Sequence, residues 1–422
     1  MIRIRDRQVC AFAIALFTCF VAHPSNAQSE EAEGSDSSGF NEALDELSID
    51  VENSIGDAVE RRGLNFDGDL RIGYIFVGND IDDVRIGKAE AIRARWRIRS
   101  TWGITERFRG VIRVAGLCST NNCDPDPVVQ LYLPTGSSMT DGQITLDEFF
   151  LQSFRSDRFN VAIGRMQAKF VARGGVFSKS LDQNDSNNLR INWTDGLHST
   201  FKAKNGWESH MVLQYNSKDG PSTVRRDPLD FSDSGSRVST LLGFESLQER
   251  RRIVQRALDV NYFPASLRID GQLDGQLEDY WAIVARMAAR WPVRSDSWRL
   301  RFSGEVGYAP NTQTKVASGI VGTGDADGLA WNVTASVMDF VPNHSIGINY
   351  AETEAGWLVS PQYTNNQRLI EIRYVWRPTG RLTLDVRGRW RDDLRERIIE
   401  DPDRNRFDFY VRFTWSFKIK ES

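Results

Sequence analysis

Residues 89–104, AEAIRARWRIRSTWGI, place arginine at positions 93, 95, 97 and 99 and put Ile92, Ala94, Trp96 and Ile98 between them. On a helix, at about 100° per residue, those charges would spread over most of the circumference; on a strand they share one face and the apolar set takes the other. The stretch is therefore a strand with one wet face and one greasy face. The same alternation recurs along the chain. Leu70, Ile72, Tyr74 and Phe76 form one apolar set, Leu300, Phe302, Gly304, Val306 and Tyr308 another, and Phe407, Phe409, Val411, Phe413, Trp415 and Phe417 the last. From Leu70 onward almost no helix-period segment interrupts these strands.

The connections say what the greasy faces touch. Short turns fall near 103–106, 155–158, 204–206, 248–251, 292–297, 342–344 and 377–380, and long polar loops near 78–88, 117–142, 171–188, 217–236, 263–278, 309–329, 353–366 and 392–405. Alternation of tight turns with long loops marks a barrel of the outer-membrane kind. A soluble sandwich or propeller also alternates, but its strands are usually about five or six residues long, whereas these reach the roughly 9–11 that a tilted strand needs to cross a bilayer. Trp102, Trp207, Trp291, Trp298 and Trp376 gather beside the short turns, and Tyr215, Tyr262, Tyr308 and Tyr350 at the loop ends, as two interfacial belts would. The fold class expected is all-β: a transmembrane antiparallel β-barrel of sixteen strands with short periplasmic turns and long extracellular loops. A mean hydropathy of −0.42 is compatible with this, because the inward residues of such a barrel are polar.

The amino terminus reads as a signal peptide over 1–27, with Arg3, Arg5 and Arg7 ahead of the apolar run Val9 to Ala22 and small residues at Ser25 and Ala27. Residues 28–63 read as an acidic linker. Within it Phe40, Leu44, Leu47, Val51, Ile55, Ala58 and Val59 hold helical spacing, enough for a short periplasmic helix or for a plug dipping into a basic lumen. Residues 64–422 form the barrel. Of the 53 basic and 57 acidic residues in the chain, three arginines and Asp6 fall in the signal, and eleven acids against Arg61 and Arg62 fall in the linker, so from Gly63 onward bases outnumber acids, 48 to 45. Cys118 and Cys123, in CSTNNC, are spaced to close a small disulfide loop in an oxidising compartment; with no further soft ligand nearby, a metal is not expected.

Lipid on the apolar side forces the arginines inward, since charge facing lipid is costly. By parity the inward set is Arg71 on the first strand, Arg93, Arg95, Arg97 and Arg99 on the second, Arg109 and Arg113 on the third, Arg387, Arg389 and Arg391 on the fifteenth and Arg412 on the sixteenth. Closure makes the last strand a neighbour of the first, so these form one basic wall, with a second patch at Arg286, Arg290, Arg299 and Arg301. Such a wall attracts anions and passes them between closely spaced weak sites. The counter-reading is that Asp69, Glu148, Glu305, Glu371, Asp385 and Asp408 pair with the arginines. The loop VARGGVFSKSLDQND, with Arg173, Lys179 and Gly174-Gly175, is the candidate to fold inward and narrow the bore.

DEFFLQ (147–152), leading into VAIGRMQAKF (161–170), and the terminal FDFYVRFTWSF resemble the bacterial outer-membrane porins, in style the phosphate-selective and other anion porins. The resemblance implies passive diffusion of small hydrophilic solutes, usually through a homotrimer, in contact with the lipid bilayer and lipopolysaccharide. One departure is that Phe417 is followed by KIKES where such barrels commonly end on phenylalanine. No cofactor and no nucleic acid is expected. Catalysis is not expected either: His198 and His210 become diagonal inward neighbours across the KNG turn, but no serine and aspartate complete a triad. The expected function is anion-preferring diffusion of small solutes. The alternatives are a dedicated channel for an acidic oligosaccharide or polymer, and a non-conducting surface barrel. A bulge near Asp195 is expected to disturb parity there.

Overall fold

The computed structural model describes residues 63–81, 84–120, 144–168, 170–173, 175–182, 194–216, 229–230, 237–271, 275–292, 298–360, 363–398 and 404–420. Alternation is realised there as one closed antiparallel sheet of sixteen strands, with no α-helix among the described residues. They are β1 (Gly63–Ile81), β2 (Val84–Thr105), β3 (Phe108–Ser119), β4 (Ile144–Ser156), β5 (Phe159–Met166), β6 (Thr194–Lys202), β7 (Trp207–Asn216), β8 (Arg237–Ser246), β9 (Ile253–Arg268), β10 (Leu277–Pro292), β11 (Arg299–Tyr308), β12 (Leu329–Val341), β13 (His344–Thr353), β14 (Gln367–Thr379), β15 (Leu382–Asp393) and β16 (Arg404–Lys420). Each strand pairs with its sequence neighbours, and β1 closes the ring: Tyr74 sits opposite Ile92 on β2 and Val411 on β16. Closure leaves no sheet edge, so the strands satisfy their backbone groups on each other, as a bilayer demands.

Parity follows the sequence pattern. Ile98, Ile163, Met287, Val306 and Phe413 are about half exposed on the outer face, while the positions between them are buried and largely polar. The tight turns use backbone that tolerates left-handed geometry: Gly206 has φ 79° in the KNG turn and Asn343 has φ 68° in PNH.

Three local expectations change. Residues 78–88 are not an irregular loop, because β1 and β2 stay paired up to Ile81 opposite Val84; above a bilayer, water solvates polar side chains on both faces and backbone pairing can continue. The loop expected over 263–278 is shortened in the same way, since β9 runs to Arg268 and β10 starts at Leu277. No bulge disturbs β5 and β6 at Asp195, which lies opposite Arg165 in unbroken register and ion-pairs with it at 2.8 Å. At the carboxyl end KIK continues β16, with Asn65 opposite Lys420. The signal, the linker and Cys123 lie outside the described residues; Cys118, near the end of β3, is disulfide-bonded.

The outward assignment makes a stability prediction. Ile98→Arg puts a guanidinium on the outer face, four residues from the Trp102 belt, and should cost about 2–4 kcal/mol if it meets lipid near mid-bilayer. Urea titration of the barrel refolded in vesicles measures this, and a cost near zero would contradict the outward assignment.

Candidate functional site

The inner faces of β14, β15, β16, β1, β2, β3 and β4 carry a connected network of arginines and carboxylates. Asp69 holds Arg95 at 2.7 Å and Arg71 at 3.1 Å. Asp147 takes Arg97 at 2.8 Å and a two-point contact from Arg113, both bonds 2.9 Å. Asp385 holds Arg373 and Arg412, each at 2.5 Å. Asp408 holds Arg389 at 2.9 Å, Arg406 at 2.7 Å, and Arg391 as well. Four aspartates thus serve nine arginines. Glu148 adds contacts to Arg113 at 3.0 Å and Arg99 at 3.8 Å, and Asp67 holds Arg99 at 2.9 Å. Arg109 donates to the neutral Gln152 at 2.8 Å. Tyr410 lies under Arg387 (4.3 Å) and Arg412 (5.4 Å), adding cation–π attraction.

The ladder has two kinds of member. Arg95, Arg97, Arg113, Arg387 and Arg412 are buried by their neighbours. Arg71, Arg93, Arg99, Arg109 and Arg389 keep part of their surface accessible. Four members of the network escape the sequence reading. Arg373, Arg406 and Asp67 share the parity of Glu371, Asp408 and Asp69 and could have been found by it. Asp147 could not: a register shift between Arg113 and Val114 leaves it without an opposite residue on β3, and the bulge turns Asp147 and Glu148, consecutive residues, both into the network.

The second patch is not a continuous basic surface. Arg286 is buried and bonded to Glu305 (2.6 Å), Asp182 (2.9 Å) and Asp259 (3.0 Å), while Arg290 pairs with Glu249 (2.6 Å) and Arg299 with Asp339 (3.2 Å). Burial and the matched carboxylates make Arg286 an anchor for the loop after β5 instead of part of an open wall. That loop does fold inward. Gln255 on β9 donates to the Val171 carbonyl and accepts from the Arg173 amide, both at 2.8 Å. Ser180 Oγ lies within hydrogen-bond distance of both the Asp182 (2.7 Å) and Glu305 (2.8 Å) carboxylates, donating its single proton to one of them, and the Leu181 amide donates to Glu305. Lys179 is buried, ion-paired with Glu371 on β14 and set 5.3 Å from the Tyr363 ring; burial pushes its ammonium down to about 7 against the pull of that carboxylate. Residues 354–360 and Tyr363 tuck in beside it, where Trp357 Nε1 donates to the Leu181 carbonyl at 3.2 Å and Trp357, Leu358 and Val359 join a buried apolar cluster with Tyr280, Ala282, Val284, Ala330 and Ala351. Small inner-face residues make the room. A Cβ on Gly307 would meet the Trp357 ring at 2.5 Å, and one on Gly347 would meet Val176 and Phe177 at 2.7 and 2.8 Å.

His198 and His210 are diagonal inward neighbours on the β6–β7 hairpin, with Thr200 directly opposite His210. His344 stands apart, stacked on Trp376 and bonded to Tyr374. No group of three or more His, Cys, Asp or Glu that could hold a metal occurs among the described residues.

No protein-family model matches the chain, and no curated protein matches it. Solved structures do. OprB from Pseudomonas putida aligns with a TM-score of 0.54 over 87% of this chain and 97% of its own, at 12% identity. This is a porin fold. OpdL from Pseudomonas aeruginosa (TM-score 0.50, 13% identity, 85% of this chain and 99% of its own) and an anion-selective porin from Comamonas acidovorans (0.50, 10%, 84% and 99%) share the porin architecture. At these identities the likeness carries the fold and no side chain, so the site rests on its own geometry.

The inward loop can be tested directly. Gly347→Val should displace the Val176–Phe177 step at an overpacking cost of about 1–3 kcal/mol, and open the Arg173 and Lys179 peptide bonds to trypsin. Cleavage in the folded variant but not in the wild type is the expected outcome; equal protection in both would place the loop elsewhere.

Proposed function

We propose that the chain is an outer-membrane porin giving passive, anion-preferring diffusion of small hydrophilic solutes, with the path running along the β15–β16–β1–β2–β3 wall. The observation that carries this is the sharing of carboxylates. Asp69, Asp147, Asp385 and Asp408 each serve two or three arginines, so the pairing satisfies geometry while leaving positive charge in excess. In a narrow aqueous passage with low-dielectric walls such an excess concentrates anions. The partly accessible guanidiniums of Arg71, Arg93 and Arg389 are the ones placed to meet a passing solute, while Arg95 and Arg97 stiffen the wall beneath them.

The inward loop with Arg173 and Lys179 supports a constriction facing this wall. Lys179 contributes by pinning the loop to β14, and Arg286 by pinning it to β10. No catalytic group, cofactor or nucleic acid enters the reading. The apolar outer face suits a bilayer, with lipopolysaccharide about the long loops. A homotrimer is proposed on the porin architecture, and the small loop closed by Cys118 is proposed to include Cys123.

Liposome swelling tests the reading. Size-matched anionic, neutral and cationic solutes should enter in that order of rate, and Arg71→Ala/Arg93→Ala/Arg389→Ala should flatten the order. A cation preference would overturn the anion reading, and an absence of swelling with folded barrel would overturn the porin. Inhibition by an acidic oligosaccharide that itself crosses slowly would favour the dedicated channel.

A further inference from the structure

On the wall formed by β5, β6, β7 and β8, three uncharged donors converge. His198 Nε2 and His210 Nδ1 are 3.3 Å apart, and Thr200 Oγ1 lies 3.4 Å from each. The three atoms form a nearly equilateral triangle. A tetrahedral zinc ion with ligands at about 2.0–2.1 Å has ligand-to-ligand edges of about 3.3–3.4 Å. We propose that His198, His210 and Thr200 form a binding site for a divalent ion of the zinc class on the inner wall of the barrel.

The surroundings favour it. The two rings are tilted 42° with centroids 5.5 Å apart, so they are not stacked face to face. Both histidines are half-buried and Thr200 is buried, so the site is open on one side and walled on the others. Phe170, at the root of the inward loop, meets both rings edge-on at 5.2 and 6.0 Å, and Ala168, Val212 and Leu241 complete an apolar shell with it. The residues directly across the neighbouring strands are small: Ala162 faces His198 from β5 and Gly243 faces His210 from β8. Of the charges nearby, Lys202 is paired with Glu208 at 3.1 Å, and Asp259, whose Oδ1 lies over Gly243, is paired with Arg286.

Imidazole is the ligand zinc-class ions share, and it binds through a neutral ring nitrogen. With the ion bound, His198 carries its proton on Nδ1 and His210 on Nε2, and the fourth position is left for water or a solute oxygen. Affinity therefore falls as acid protonates the rings. The ion would tie β6 to β7 beneath Phe170, where the inward loop begins.

Calorimetric titration of zinc into the full mature chain, refolded in detergent, tests the site. One ion per barrel is expected, with affinity reduced about 100-fold or more in His198→Ala/His210→Ala and about tenfold in Thr200→Val, while His344→Ala binds as wild type. Heat-modifiable migration on gels confirms folding, and His198→Gln/His210→Asn serves if the alanine variant does not refold. Wild-type binding that saturates no more tightly than in the folded double variant would overturn the proposal, leaving a hydrogen-bonded histidine pair.

Discussion

A guanidinium on the inside of a closed barrel finds its counter-charge either on an adjacent strand or in water, and like charges on adjacent strands repel. The register decides which happens here. Arg71 lies opposite Arg95 and Arg99 opposite Arg113, so direct pairing would set positive against positive. The carboxylates relieve this by bonding more than one arginine each, as Asp408 does for Arg389 directly opposite it, Arg391 diagonally and Arg406 along its own strand. Stability and the proposed selectivity then have the same origin: the shared carboxylates hold the guanidiniums in place, and because they are shared they do not cancel them.

The opposite half of the interior obeys a different rule. On β10 to β13 the inner face includes small and apolar residues such as Ala282, Val284, Gly307, Ala330, Gly347 and Ala351, and the described parts of the loops after β5 (170–173 and 175–182) and after β13 (354–360 and 363) are laid into the space. Polar loop backbone cannot be buried without partners, and Gln255, Arg286, Glu305, Ser336 and Glu371 supply them. Among the described residues the loops therefore cover the apolar half and leave the basic half facing the interior. Arg286, though basic and inward, belongs to the covered half.

Most of the barrel is legible in the sequence because period-two alternation is a one-dimensional signal: strand number, outward faces and the inward parity of the arginines on β1, β2, β3, β15 and β16 all follow from it. What is not legible involves a third dimension or a break in the period. The bulge at Asp147 adds a second inward carboxylate where alternation allows one. The pairing beyond Gly78 depends on solvent at the top of β1 and β2, not on residue pattern. The burial of Arg286 and Lys179 depends on where a loop lands, although the apolar GWLV at 356–359, inside a segment read as polar, was a trace of it.

A positive excess that survives pairing is the central property of the proposed path, and the zero-current potential of single barrels in a planar bilayer under a potassium chloride gradient measures that excess most directly. A potential of the sign that favours chloride is predicted, moving further toward chloride in Asp408→Asn if that variant keeps its fold. A potential favouring potassium would mean that the carboxylates dominate the path, and the shared-pair explanation would be wrong.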